Sequence, residues 1–133
     1  MYEKKVVLDT IKECYCIVES SNKGMNNLGE FFTCDVGSTV DHWIDFLNDP
    51  DWPETQSNWC ILEKDGDIVR IFDFLTEERY LPYPVPDDQV LKIKKTEFVR
   101  ILYQWEEIAA RDFWPRQIKI TERRGVFNME AID

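Results

Sequence analysis

Trp59-Cys60-Ile61-Leu62-Glu63-Lys64-Asp65-Gly66-Asp67-Ile68-Val69-Arg70-Ile71-Phe72-Asp73-Phe74 is the stretch from which the rest of the chain can be read. Two runs of strand-forming residues flank Asp65-Gly66, a pair that favours a two-residue type I′ turn. Pairing across that turn sets Leu62 opposite Val69 and Cys60 opposite Ile71 on one face, and leaves Trp59, Ile61, Arg70 and Phe72 on the other. Both faces are largely apolar, so the hairpin belongs inside a sheet that is covered at least in part on each side.

Upstream of the hairpin, residues 12–19 are rich in strand formers and run into Ser20-Ser21-Asn22-Lys23-Gly24, a loop composition. As a strand they place Cys14, Cys16 and Val18 on one face and Tyr15 and Ile17 on the other. Residues 22–29 then read as a flexible connection, and residues 30–36 as a second strand that stops at Gly37. Ser38, with Asp41 three residues on, is a variant capping box that starts a helix. Val40, Trp43, Ile44 and Leu47 form its apolar stripe, and Pro50 ends it.

Downstream, Pro82, Pro84 and Pro86 alternate with Tyr83 and Val85, which makes residues 81–88 an extended loop. Residues 89–94 alternate as a strand, and Thr96 caps a long helix that reaches Arg111. Phe98, Ile101, Leu102, Trp105, Ile108 and Ala109 line its buried side, and Pro115 marks its end. A strand over 117–122 and a short run over 126–129 close the chain. The expected fold is a single α+β domain over residues 1–133, with five or six mostly antiparallel strands and two main helices.

A chain of 133 residues buries roughly two thirds of its unfolded surface, enough to fold without a disulfide or a structural metal. Apolar residues at 44% place it outside the composition of disordered chains. The N-terminus, Met1-Tyr2-Glu3-Lys4-Lys5-Val6-Val7-Leu8-Asp9, lacks the apolar core of a signal peptide, and no run reaches membrane-spanning length. A cytoplasmic location is expected, with Cys14, Cys16, Cys34 and Cys60 as free thiols.

The formal net charge is −10, and it divides unevenly. Residues 1–88 hold 19 acids against 7 bases, whereas residues 89–133 hold 7 acids against 9 bases. Such an acidic body repels phosphate backbones and anionic lipid, so neither direct nucleic-acid binding nor a membrane surface is expected. It attracts a basic protein.

The acidity is concentrated between Lys23 and Lys64, where the chain has no lysine or arginine. That span carries Glu30, Asp35, Asp41, Asp45, Asp49, Asp51, Glu54 and Glu63 among Phe31, Phe32, Trp43, Phe46, Trp52 and Trp59. Helical spacing strings Asp41, Asp45 and Asp49 at i, i+4 and i+8 beside the core stripe. The following loop adds Asp51, Trp52 and Glu54. Charged residues opposite a buried stripe occur on any soluble helix, but one charge sign without a neighbouring base, mixed with large aromatics, is the composition of a partner-binding face.

Catalytic equipment is sparse. Cys14-x-Cys16 has no second ligand pair of the kind a zinc site needs. Asp49-x-Asp51-x-x-Glu54 lacks the third acidic position, turn glycine and distal glutamate of a calcium loop. His42 is the sole histidine; a dyad with Cys34 is its one nucleophilic option, without an elbow or oxyanion-loop motif beside it. Glu77-Glu78 and Glu106-Glu107 are sequence neighbours that do not face each other on a helix. No glycine-rich phosphate loop is present. Neither cofactor nor metal is expected, and the basic residues of the last third alternate with acids as a solvated surface does.

The hairpin over residues 58–74, with its Lys64-Asp65-Gly66-Asp67 turn, and the run Leu91-Lys-Ile-Lys-Lys-Thr-Glu-Phe-Val-Arg-Ile-Leu-Tyr-Gln-Trp-Glu-Glu107, a strand leading into a tryptophan-bearing helix, together resemble the immunity proteins of bacterial polymorphic-toxin and contact-dependent inhibition systems. That resemblance implies a tight complex with a cognate toxin domain, commonly a basic nuclease, whose active site or substrate path is blocked. It carries over a role without binding residues. On the charge reading, Asp41, Asp45, Asp49, Asp51, Trp52 and Glu54 are the candidate contacts. An acidic regulatory adaptor or nucleic-acid mimic would use the same face, and a small enzyme would require an organised pocket.

Overall fold

The alternating run around Gly66 does form a hairpin, with the turn one residue further along than expected. The structure, a computed structural model, describes residues 3–11, 14–37, 39–57, 60–73, 87–111 and 114–133. In chain order these form β1 (Lys4–Ile11), β2 (Cys14–Ser20), α1 (Lys23–Phe31), a π-helical turn (Phe32–Val36), α2 (Asp41–Asn48), β3 (Glu54–Gln56), β4 (Cys60–Asp65), β5 (Ile68–Asp73), a 3-10 turn (Asp87–Gln89), β6 (Leu91–Lys94), α3 (Lys95–Ala109), β7 (Gln117–Arg123) and β8 (Val126–Ile132). Expectations for Ser38, Trp59 and the proline run at 82–86 fall outside the described residues.

In the hairpin Asp65 pairs with Ile68 and Leu62 with Ile71, so Gly66 and Asp67 make the turn. Gly66 takes φ +59° while Asp67 stays out of the positive region, which is the type II′ arrangement with glycine at the first central position. The register moves by two residues, so the faces survive: Cys60, Leu62, Val69 and Ile71 are buried as one set. On the other face Ile61 packs against a small buried pair, Phe72 and Val90.

The hairpin lies inside one four-stranded antiparallel sheet of order β3-β4-β5-β6, and a second has order β2-β1-β7-β8. The fold class holds as α+β, but the described residues form eight strands and three helices rather than five or six strands and two helices. Residues 22–29 are the main correction. They are helical, capped by Asn22, whose Oδ1 accepts the Met25 amide at 2.8 Å. The expected strand over 30–36 is the end of this helix and the π turn. Met25, Leu28, Phe31 and Phe32 project a periodic apolar face into the core.

Helix α1 touches β1 and β2 of one sheet and β4, β5 and β6 of the other. Helix α3 likewise meets β8 on one side and β5 and β6 on the other. The two helices therefore form a middle layer, and one apolar cluster runs from Val6, Ile118 and Phe127 through Phe31, Phe98 and Trp105 to Leu62, Ile71 and Ile93. Helix α3 also closes the β8 edge. Glu97 accepts the Phe127 amide at 2.9 Å, Gln104 accepts the Met129 amide at 3.1 Å, and Arg100 donates to the Phe127 carbonyl. An edge strand whose outward groups are bonded this way cannot recruit another strand there.

Helix α1 fits between the sheets because of its glycines. A Cβ at Gly29 would lie 2.8 Å from Val6 Cγ2 and 3.0 Å from Ile17 Cδ1; at Gly24 it would lie 3.3 Å from the Val90 carbonyl oxygen. At an ordinary helical site Gly→Ala gains up to about 1 kcal/mol. At Gly29 the sign reverses: overpacking against a branched core residue costs more than the propensity gain, so Gly29→Ala lowers unfolding stability by about 1–2 kcal/mol in urea titrations. A more stable variant would contradict the close fit.

Candidate functional site

Helix α2 carries the charged face, and its inner side explains how that face is held. Val40 immediately precedes it, and the Val40 carbonyl accepts the amides of Trp43 and Ile44, each at 3.0 Å. Val40, Trp43, Phe46 and Leu47 are buried and Ile44 is half-buried against the core. Phe46 thus joins the expected stripe, as its i+3 spacing from Trp43 allows. The Trp43 ring stands edge-on to Phe31 at 4.8 Å. From α3, Trp105 Nε1 donates to the Gly37 carbonyl at 2.9 Å and Glu106 accepts the Val40 amide at 3.3 Å, which fixes the entry to the helix.

Two lysines from outside the base-free span hold its other end. Lys64 Nζ donates to the carbonyls of Phe46 and Asp49 and sits 4.5 Å from the Phe46 ring centre. Lys95 Nζ donates to the Leu47 carbonyl at 3.3 Å. These carbonyls carry the negative end of the helix dipole, so cations are favoured there. Desolvation lowers the Lys64 pKa, Asp49 opposes that shift, and Lys95 adds to it.

Asp41 and Asp45 are exposed on α2. Asp49 is also exposed but stands past the helix end in extended backbone (φ −94°, ψ 108°), so the i+8 ridge becomes a turn. Its Oδ1 accepts the Asp51 amide at 2.9 Å, and its carbonyl accepts the Trp52 amide at 3.2 Å. Asp51 is exposed. Trp52 is half-buried against the core, its ring edge-on to Phe46 at 5.2 Å and to His42 at 5.3 Å. Glu54 is exposed at the start of β3, opposite Glu63, which pairs with Arg70 at 3.0 Å. Five carboxylates therefore lie exposed, two on α2, two in the turn after it and one at the start of β3, where Glu54 shares a shallow depression with Glu63, Lys64 and Arg70.

His42 is exposed beside Trp43, at 4.7 Å between ring centres, and Trp52. Cys34 is exposed on the π turn, 3.4 Å from Thr33 Oγ1. Among the described residues no three His, Cys, Asp or Glu side chains converge to hold a metal ion, and no helix is long and apolar enough to cross a membrane.

A second acidic group lies inside. Asp73 is 6% exposed at the end of β5, in the inward phase set by Val69 and Ile71, and its Oδ2 is 3.5 Å from Lys23 Nζ. Glu30 on α1 faces it, and burial first, then Asp73, pushes the Glu30 pKa up to about 7. Nearby, Ser57 donates to Asp35 at 2.5 Å and receives the Cys60 amide at 2.9 Å. Burial pushes the Cys60 thiol up, with Asp35, Glu30 and Asp73 adding to it. Sequence reasoning passes over this pair because its members are far apart in the chain. The legible sign was Asp73 itself, a charge at an inward position of a core strand.

No family model matches this chain, and no curated protein or solved structure is significantly similar to it.

The contacts of Lys64 give a direct expectation. Lys64→Met keeps the stem over Phe46 and removes the donor, so it should lower stability by about 1 kcal/mol. Amide exchange at Asp51 and Trp52 should quicken more than exchange in β7. Unchanged exchange there would mean that Lys64 does not hold the turn.

Proposed function

We propose that the protein binds a basic protein partner through the face made by Asp41, Asp45, Asp49, Asp51 and Glu54, and that it serves as an immunity protein that neutralises a cognate bacterial toxin domain inside the producing cell. The observation that supports this reading best is the exposure of all five carboxylates between α2 and β3, with α2 itself fastened at both ends. The role is binding rather than catalysis.

In this role the carboxylates raise the encounter rate with lysines and arginines that a nuclease otherwise uses on phosphate. A pre-ordered face limits the entropy lost on docking. The packing of Trp52 onto Phe46 and His42 leaves it half-exposed, so it can offer one ring edge as an anchor without first leaving solvent entirely.

Co-expression with the product of the adjacent reading frame tests the role. Rescue from toxicity together with co-purification is the expected result, and the absence of both would remove it. The face is tested separately. Replacing Asp41, Asp45 and Asp49 by Asn should lower the association rate about tenfold at low ionic strength, with a smaller deficit at high salt. An unaltered rate would falsify this surface as the docking face even if the complex forms.

A further inference from the structure

The strongest unexplained feature lies under the sheet that carries the hairpin, where Lys23, Asn26 and Glu30 share one side of α1 and meet Asp73 at the end of β5. Positions 23, 26 and 30 are i, i+3 and i+7, so they line up along the helix. Glu30 Oε1 accepts Asn26 Nδ2 at 3.0 Å. Glu30 Oε2 is buried and has no donor among the described residues. The carboxyl lies within hydrogen-bonding reach of Asp73, which is itself 6% exposed. Two ionised carboxylates in that position repel, whereas one proton between them converts the contact into a charge-assisted hydrogen bond.

We infer that Glu30 and Asp73 form a one-proton clasp that fastens α1 to β5, closed when Glu30 is protonated and weakened when the proton leaves. The surrounding groups set its balance. Lys23 favours the ionised form of Glu30, as does Asn26, but burial and the Asp73 charge outweigh both. On β4 the Cys60 thiol is held in its neutral form, and on the π turn Asp35 is bonded to Ser57. Unfolded, Glu30 ionises near 4.5; in the fold it keeps its proton to about 7. Between those values the folded state binds more protons, so stability falls as pH rises through the window. The contribution is complete below it and lost above.

The clasp shares no residue with the face made by Asp41, Asp45 and Asp49, so its titration can be read on the free protein whether or not that face binds a partner. Two measurements test it on the full chain. The carbon-13 shift of the Glu30 carboxyl should titrate with a midpoint of about 7; a midpoint in the ordinary carboxylate range overturns the clasp. Protection of α1 amides, corrected for intrinsic exchange, should fall about tenfold relative to β8 amides from about pH 5 to about pH 8. Glu30→Gln mimics the protonated side chain and should be flat across that range. The same pH dependence in this variant as in the natural chain would also overturn it. If the variant does not fold, the carboxyl titration of the natural chain still decides.

Discussion

The close approach of α1 to both sheets is the constraint on which the rest of the structure depends. A helix in the middle of a three-layer arrangement must be narrow where strands press on it, and Gly24 and Gly29 supply that on opposite sides: one against Val90 and Leu91, the other against Val6 and Ile17. Each glycine costs about 1 kcal/mol of helix propensity. Burying Met25, Leu28 and Phe31 returns about 1.5–3 kcal/mol apiece, so the packed face wins over the local preference. Because α1 fills the space between the sheets, it also carries the π turn to where Asp35 meets Ser57, and it delivers Phe31 to the underside of α2. The charged face is thus oriented by a helix that contributes no residue to it.

The same balance explains what can be read in the sequence. The hairpin is legible because alternation fixes its faces even though the register moves by two residues; the turn shifts to Gly66-Asp67, since glycine accepts the positive φ of the first turn position more readily than Asp65 would. Helix α3 is legible because Phe98, Ile101, Leu102, Trp105 and Ile108 repeat at helical period without a breaker. Helix α1 is not, since two glycines and three asparagines from 22 to 29 carry loop signals that only tertiary contact overrides. Strand β1 is hidden for a different reason. Its Lys-Lys-Val-Val-Leu-Asp run has two adjacent valines on opposite faces, and a sheet buries both because Val7 is covered on the outer side as well.

Charge along the chain and charge in space also diverge. The span without lysine or arginine does meet cations in the fold, yet Lys64 and Lys95 attach to carbonyls at the end of α2 and not to the aspartate side chains above. They stabilise the helix and leave its carboxylates facing solvent. Glu30, counted in the same acidic span, is turned inward and has the opposite character, a carboxyl whose surroundings resist ionisation. Of the acids between Lys23 and Lys64, those from Asp41 to Glu54 therefore make the surface, whereas Glu30 and Asp35 are half-buried and turned toward partners within the fold. Composition treats the two groups alike because it cannot tell which side of an element a residue faces.

Several basic residues of the last third complete the asymmetry by being paired within the fold. Arg100 reaches Glu97, Asn128 and the Phe127 carbonyl, and these contacts close the β8 edge. Lys119 and Arg123 both approach Glu3, and Lys92 approaches Asp87. Exposed pairs of this kind add little stability, about 0–1 kcal/mol each. They matter because they cancel charge locally on α3, beside β6 and on β7, while among the described residues no ion pair involves Asp41, Asp45 or Asp51. A net charge of −10 is then unevenly distributed over the surface, the kind of asymmetry on which the proposed steering of a basic partner would depend.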